Sequence, residues 1–240
     1  MIHIVKILKL LPIVIVCFLL TPYTALGQKT KTLDFPATMS PYDWRLSLGV
    51  SSIAMPEDIV LETASIRWPL IRFAAIMGLP SNFILDTKIS TEIVTNHFEL
   101  GSRWIYEFND KLHADAGIDF AYFFGRLEQF EYNTKIHGWF TYPSVALGYD
   151  FGSLTVTLRG SLSYINSLST INGEVESNSE ENRFNGFFYR VSLEQPFYKF
   201  TTIGLAFQMS YLKLYYPEWP LFPAIDRYYW IPELQIWLTL

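Results

Sequence analysis

The feature that most constrains the fold is a side-chain alternation with a period of two, which recurs along most of the chain. It is clearest in residues 228–240, where every second residue is apolar: Tyr228, Trp230, Pro232, Leu234, Ile236, Leu238 and Leu240. Glu233, Gln235 and Thr239 lie between them. Successive side chains of a β-strand point to opposite faces, so this pattern predicts a strand whose two faces meet different surroundings.

Eight further runs show the same alternation, in residues 44–52, 83–95, 97–108, 112–122, 139–151, 154–164, 187–194 and 201–214. In these runs the apolar and aromatic side chains share one face, and the charged residues and glycines share the other. After residue 27 no stretch is apolar over the ~18 residues that a membrane-spanning helix needs. The apolar content of 50% is therefore distributed over strands, as the lipid-facing wall of a barrel requires.

On these runs and on the last strand, which ends at Leu240, the chain resembles bacterial outer-membrane β-barrel proteins. The closing strand of that class ends in an aromatic or aliphatic residue, more often Phe than Leu, and is read by the assembly machinery. The resemblance implies an all-β fold, a transmembrane antiparallel up-and-down β-barrel in the outer membrane of a Gram-negative-type cell. It also implies secretion to the periplasm, and outer-membrane lipids, lipopolysaccharide and the assembly machinery as partners.

A single-chain bacterial barrel is expected to have an even number of strands, so the nine runs require a tenth. The remaining region, residues 59–77, alternates poorly and contains Pro69. A strand there is expected to be bent, bulged or partly outside the membrane, and an amphipathic helix is the alternative. The prediction is therefore about ten strands, with eight or twelve as alternatives.

Connection lengths and aromatic residues indicate which end of the barrel faces which side. With the last residue in the periplasm, the periplasmic turns are residues 78–82, 109–111, 150–153 and 196–200, all short, and the longer external loops include 125–137, 166–183 and 216–226. Two further external connections, at residues 56–58 and around Asn96, are short exceptions. Aromatic rings favour the two headgroup regions. One girdle is predicted at the periplasmic end (Trp44, Trp104, Tyr106, Phe108, Tyr149, Phe151) and one at the external end (Phe120, Tyr122, Phe124, Trp139, Tyr164, Tyr211, Tyr228, Trp230).

The first 27 residues fit a cleaved signal peptide, with Lys6 and Lys9 ahead of an apolar run and a small-x-small site before Gln28. A retained membrane anchor is the alternative. The expected organisation is a signal peptide in residues 1–27, a periplasmic segment in 28–42 and the barrel in 43–240. Cleavage removes Cys17, the single cysteine, and so excludes disulfides, cysteine-ligated metals and cysteine catalysis.

Charge argues against a nucleic-acid partner. The formal net charge of -5 becomes -7 when the two lysines of the signal peptide are removed. No cofactor or metal is expected, and no ligand can be read from the sequence.

The alternation also predicts which charged side chains line the lumen: Arg45, Lys88, Glu92, Arg103, Glu107, Asp115, Asp119, Arg159, Arg190, Glu194 and Glu233, accompanied by Asp86, Glu99 and Gln235. In a narrow barrel such side chains commonly fill the interior as ion pairs. The alternative is a narrow porin-like channel for small solutes or cations. A soluble lipocalin-like barrel would instead need a polar outer face.

Catalysis is not predicted, so no catalytic residue is assigned. Some outer-membrane barrels hydrolyse lipids or peptides, and two histidine clusters are the candidates for such a role. His97 lies with Asn96 and Glu99, and His137 lies near Ser163 or Ser167, but neither forms a recognised motif.

Residues 215–223 combine aromatic rings with prolines that stiffen the backbone. An exposed patch of this kind favours external recognition by Tyr215, Tyr216, Trp219 and Phe222. The alternative is a loop that folds over the mouth of the barrel. The functional hypothesis is thus a barrel with a structural or surface-binding role.

Overall fold

The computed structural model describes residues 31–54, 69–92, 94–129, 132–172, 175–198, 201–221 and 227–240. The predicted signal peptide lies outside these residues. Ten strands form the fold: β1 Trp44–Ile53, β2 Leu70–Leu79, β3 Phe83–Thr91, β4 Thr95–Glu107, β5 Leu112–Gln129, β6 Tyr132–Asp150, β7 Thr155–Asn172, β8 Val175–Tyr198, β9 Thr201–Leu212 and β10 Tyr229–Thr239. A 3-10 helix, Tyr216–Leu221, lies between β9 and β10.

The strands close into an antiparallel up-and-down barrel, in which each strand pairs with its neighbours along the chain and β1 pairs with β10. At the closing seam Ser47 is opposite Thr239 and Ile53 is opposite Glu233. The predicted count of ten strands and the predicted pairing of the first strand with the last are both confirmed.

Short turns join the strands at the rim where β1 begins and β10 ends, which we call the terminal rim. In the β4–β5 turn the side-chain oxygen of Asn109 accepts hydrogen bonds from the backbone N–H groups of Lys111 and Leu112. In the β6–β7 turn Asp150 accepts the N–H of Gly152, which has a φ of 93°. Such Asx turns close a strand pair within a few residues, as the short predicted turns require.

At the opposite rim, the loop rim, two of the predicted long loops are wrong. Residues 125–137 and 166–183 continue the hairpins β5–β6 and β7–β8, in which the backbone pairing reaches Gln129 opposite Tyr132 and Asn172 opposite Val175. These residues are mostly polar, so they show no apolar alternation from which strands could be predicted. A hairpin that extends beyond the apolar outer surface of the barrel can keep its backbone pairing without an apolar face.

Strand β2 explains why residues 59–77 alternate poorly. Its described part runs from Leu70 to Leu79 as a strand, and its pairing with β1 and β3 shows no register shift, so the expected bulge and the helix are both wrong for these residues. The alternation is weak because Leu70 and Ile76 are apolar yet point inward, where both are buried. Residues 59–68 lie outside the described part of the chain.

The outer surface carries the apolar face of the strands, as predicted. Aliphatic side chains at mid-height remain exposed, including Leu48, Val145 and Leu158. The predicted aromatic residues that are exposed lie above and below them: Trp44, Trp104, Tyr106, Phe108, Tyr149 and Phe151 at the terminal rim, and Phe120, Phe124, Trp139, Tyr164 and Trp230 towards the loop rim. No helix in the described residues is long and apolar enough to cross a membrane.

Trp237 packs inside the barrel near the seam, over two glycines of the neighbouring strands. Gly49 is its partner on β1 and Gly204 its partner on β9, and a Cβ at Gly204 would overlap the indole ring. The Arg190 guanidinium lies over the same ring, 5.2 Å from its centroid. Gly204 therefore provides the space that the indole ring occupies, and Gly49 allows the close approach of the Trp237 Cβ.

We expect Gly204→Ala to lower the free energy of unfolding by about 1–3 kcal/mol, because the added methyl group must displace the Trp237 ring. Gly160→Ala is the matched control, since no atom lies within 4 Å of a Cβ built at that strand glycine. Denaturant titrations of the two variants in the same detergent give the comparison. Equal stability of the two variants would contradict the tight packing at Gly204.

Candidate functional site

The lumen is filled by three groups of residues. A belt of paired charges from the wall lies in the middle, and we call it the ionic belt: Arg72, Asp86, Lys88, Glu99, Arg103, Asp115, Asp119, Arg159 and Glu233. Residues 32–36, ahead of β1, enter from the terminal rim and form the plug. Residues 213–221, after β9, fold inward at the loop rim and form the cap.

In the ionic belt Arg103 and Lys88 meet carboxylates from their own or an adjacent strand. Arg103 forms an ion pair with Asp86 and lies 3.8 Å from Asp119. Lys88 Nζ lies 3.0 Å from Glu99 and 3.7 Å from Asp119. These strands, β3, β4 and β5, are adjacent, so the inward alternation of each one brings the charges into a single cluster.

Two further ion pairs complete the belt. Both guanidinium nitrogens of Arg159 donate to the Asp115 carboxylate, at 2.8 and 2.7 Å. Arg72 donates to Glu233 at 2.6 Å across the closing seam. Buried charges persist in a wall of this kind only when they are paired and hydrogen-bonded, so the belt is a structural network as well as an electrostatic one.

The plug is held first by Glu194, an inward residue of β8. Its carboxylate accepts the backbone N–H groups of Leu33, Asp34 and Phe35 at 2.6, 3.1 and 2.9 Å. Glu194 is only 1% exposed. Three consecutive N–H groups that converge on one carboxylate fix the backbone of the plug, and not only a side chain, against the wall.

Asp34 makes the second set of contacts that fix the plug in the lumen. Its carboxylate lies 2.8 Å from Arg190, and its backbone oxygen accepts a hydrogen bond from Arg159 at 3.3 Å. Burial by itself would raise the pKa of Asp34, but the guanidinium groups of Arg190 and Arg159 together hold this pKa below its ordinary value. The carboxylate of the plug is therefore ionised in place.

Apolar and polar contacts at the terminal rim extend these holds. Leu33 and Met39 pack against a buried cluster of Ile76, Ile84 and Ile105 on the inner wall. The imidazole of His113 lies 3.1 Å from the backbone oxygen of Pro36, and Arg45 donates to the backbone oxygen of Thr32 at 2.6 Å. The terminal half of the lumen is thus occupied by the chain itself.

The cap fills the loop half of the lumen with apolar and aromatic groups. Tyr215 and Trp219 are 3% and 5% exposed and lie in one buried cluster with Phe123, Phe140 and other inward residues. The hydroxyl of Tyr215 donates to Glu233 at 2.9 Å, which ties the cap to the ionic belt. Burial raises the pKa of Tyr215, so its phenol stays protonated as this donor requires.

His97 lies beneath the cap and is fully buried. Its ring stacks on Tyr216 with centroids 3.8 Å apart, and its two nitrogens lie 3.2 Å from Glu99 and 3.4 Å from the hydroxyl of Tyr142. Stacking and hydrogen bonding in a closed interior are what a packed structural histidine shows. Its predicted neighbour Asn96 instead accepts a hydrogen bond from Thr91.

A small cavity of about 80 Å³ lies between the plug and the cap. Asp34 lines it from below, Tyr215 and Tyr216 line it from above, and charged residues of the belt line its sides. It is a polar chamber with room for a few water molecules.

Most of the predicted lumen residues do point inward: Arg45, Lys88, Arg103, Asp115, Asp119, Arg159, Arg190, Glu194 and Glu233. Glu92 lies after the end of β3 at the loop rim, and Glu107 lies at the terminal rim, where it accepts a hydrogen bond from Thr38. Sequence reasoning missed Arg72 and Asp34. The flanking pair Ile71 and Phe73, both exposed, could have indicated that Arg72 points inward.

Two predicted constellations are corrected. Tyr215, Tyr216 and Trp219 are packed in the lumen and are not an exposed recognition patch, because the apolar inner wall at this rim offers them a partner. Phe222 lies outside the described residues. His137 is exposed on the outer face, while Ser163 is buried and accepts a hydrogen bond from Asn185, so these two side chains lie on opposite faces of the wall.

The stabilisation by the ion pair between Asp34 and Arg190 should depend on pH. Because the pKa of Asp34 is lower in the folded chain than its ordinary value of 3.8, the stabilisation by this carboxylate is present above pH ~4 and is lost as pH falls through the folded pKa. We expect the stability difference between the wild type and Asp34→Asn to be nearly constant above pH ~5 and to shrink below pH ~4. Urea titrations across this range measure it, and a difference that grew on acidification would contradict the ion pair.

Comparison with known proteins finds similar solved structures only at low identity. No family model and no curated protein matches the chain. Among solved structures, the NanC porin is 8% identical over 81% of this chain and 98% of that one, with a TM-score of 0.44, and the KdgM porin is 10% identical over 81% and 97%, with a TM-score of 0.41. Ail, the attachment invasion locus protein of Yersinia pestis, is 10% identical over 84% and 100%, with a TM-score of 0.39.

These similar structures are bacterial outer-membrane β-barrels. The predicted antiparallel up-and-down barrel is confirmed by the strand pairing of the chain itself. The porins and Ail differ from this chain at about nine positions in ten, and with TM-scores below 0.5 they carry no argument about what this chain does.

Proposed function

We propose that the protein is an integral outer-membrane β-barrel with a structural role, and that its lumen is closed by its own residues and does not conduct. The observation that carries the proposal is the pair of closures, with Glu194 binding three backbone N–H groups of the plug and Trp219 buried with the cap. The ionic belt adds cross-strand ion pairs between them.

The outer-membrane location is part of this proposal. Its support is the exposed apolar face of the strands, which would be costly in water but is what the hydrocarbon region of a bilayer requires. The hairpins β5–β6 and β7–β8 would then project from the cell surface at the loop rim, and any surface-binding role would belong to them.

Conductance in planar bilayers tests the closed lumen. We expect the wild-type protein to insert without producing reproducible single-channel steps, and a cap variant, Trp219→Ala combined with Tyr215→Ala, to produce them more often. Steady steps from the wild type would overturn the proposal in favour of a channel. Insertion is checked independently by flotation of the proteoliposomes.

A narrow cation-conducting channel is the second candidate. The chamber of about 80 Å³ favours it, because Glu99, Asp119 and Glu233 line an existing polar space. In the same bilayer measurement this candidate requires wild-type steps with a reversal potential that shifts towards that of the cation in a salt gradient.

A further inference from the structure

Two buried arginines stand directly opposite each other on the inner wall. Arg159 of β7 and Arg190 of β8 are partners in the strand register. Their side chains are only 7% and 13% exposed. Like charges at directly opposed positions destabilise a sheet, and buried ones need counter-charges. This position therefore requires two carboxylates.

The wall supplies one of the two carboxylates. Asp115 of β5 binds Arg159 through both guanidinium nitrogens. For Arg190, the carboxylate within ion-pair distance among the described residues is that of Asp34, at 2.8 Å. The barrel wall thus leaves Arg190 to be neutralised by a residue that is not part of the barrel.

Glu194 repeats the pattern two positions along the same strand face, beyond Ser192. It lies four residues after Arg190, so both side chains point into the lumen. Its carboxylate is satisfied by three backbone N–H groups of residues 33–35, which also lie outside the strands. Arg190 and Glu194 together therefore present the complement of a bent peptide, a cation for its acidic side chain and an acceptor for its successive backbone N–H groups.

Space beside the plug shows that this surface is not matched to residues 33–35 alone. A cavity of about 50 Å³ lies next to Leu33 and Asp34, and it is bounded by Arg190 and Trp237. An occupant that is somewhat bulkier next to its acidic residue would fit the same surface.

We propose that Arg190 and Glu194 form a binding site for short acidic peptides, and that residues 33–35 occupy this site in cis. The proposal rests on the closed lumen proposed above, since it treats the closing segment as an exchangeable occupant. The recognised chemistry is a side-chain carboxylate flanked by free backbone N–H groups.

The test uses the full chain with Asp34→Pro, which removes the carboxylate and one of the three N–H donors from the cis occupant. A fluorescent peptide with the sequence of residues 32–37 is titrated against this variant in detergent, next to the same peptide with asparagine in place of its aspartate. We expect saturable binding of the aspartate peptide, at least about tenfold tighter than that of the asparagine peptide.

The matched control adds Arg190→Gln to Asp34→Pro, and we expect the two peptides to bind it within about twofold of each other. Circular dichroism verifies the barrel in both variants. Should the control fail to fold, the comparison of the two peptides on Asp34→Pro alone still decides. Equal binding of the peptides to that variant, absence of saturable binding of the aspartate peptide, or a preference that survives Arg190→Gln would overturn the site.

The outcome is separable from that of the closed-lumen proposal. If the wild type shows no channel steps in bilayers and the two peptides bind equally, the peptide site is overturned and the closed-lumen proposal stands. If the wild type conducts and the aspartate peptide still binds more tightly than the asparagine peptide, the closed-lumen proposal is overturned and the peptide site stands.

Discussion

Replacing Arg103 by alanine is expected to lower the free energy of unfolding by about 3–5 kcal/mol. Arg103 pairs with Asp86 and approaches Asp119, and both carboxylates are almost fully buried. Without the guanidinium they would face each other across Gly101 with only Lys88 to neutralise them. Denaturant titration in a fixed detergent, with intrinsic tryptophan fluorescence as the signal, measures the loss.

Two controls define the cause of this loss. Arg126→Ala removes an exposed arginine on the same barrel and should change the stability by no more than about 0.5 kcal/mol. The double variant Asp86→Asn with Arg103→Gln removes a positive and a negative charge together and should recover part of the loss. A loss in Arg103→Ala no larger than that of Arg126→Ala would contradict the role of the ionic belt.

Replacing Glu194 by alanine is expected to release the plug. The substitution removes the acceptor of three backbone N–H groups, each hydrogen bond to a charged group being worth about 1.5–3 kcal/mol. Even a total of about 3 kcal/mol corresponds to a more than 100-fold larger population of the undocked plug. Asp34 would still bind Arg190 through its carboxylate and Arg159 through its backbone oxygen.

Labelling of a cysteine in the segment measures this release. Ala37→Cys in a Cys17→Ser background provides a single thiol next to the plug, and the maleimide reaction rate reports how often the segment leaves the lumen. Glu107→Ala is the matched control, because Glu107 also binds the segment, through Thr38, but its side chain is 43% exposed and its loss should cost less than about 1 kcal/mol. Equal rates in the two variants would contradict the assignment of Glu194 as the main hold.

The wall of the barrel could be predicted from the sequence because each strand repeats one local rule. Leu46 and Leu48 alternate with Arg45 and Ser47 whatever the rest of the chain does, so the outward face and the nine clear strands follow from period two alone. The seam between β1 and β10 followed from closure, since a barrel has no free edge.

Residues that break the alternation make tertiary contacts, and a local pattern of side chains does not describe such contacts. Ile76 is apolar although it points inward, because Leu33 and Met39 pack against its cluster. These residues are far from Ile76 in the sequence, so the alternation within β2 cannot reveal the contact. Trp219 was expected at an exposed surface since an aromatic, proline-rich loop has the same composition whether it faces solvent or folds inward. Composition does not encode the direction of a loop.

By itself, the sequence determined a two-faced wall of strands and most of the charges that face inward, because side-chain alternation is a property of the backbone. Only the tertiary structure decided how the interior is filled. Arg190 has its carboxylate in Asp34, and Glu194 has its donors in residues 33–35, since burial inside a closed barrel leaves these charges no solvent and the plug is the segment that reaches them.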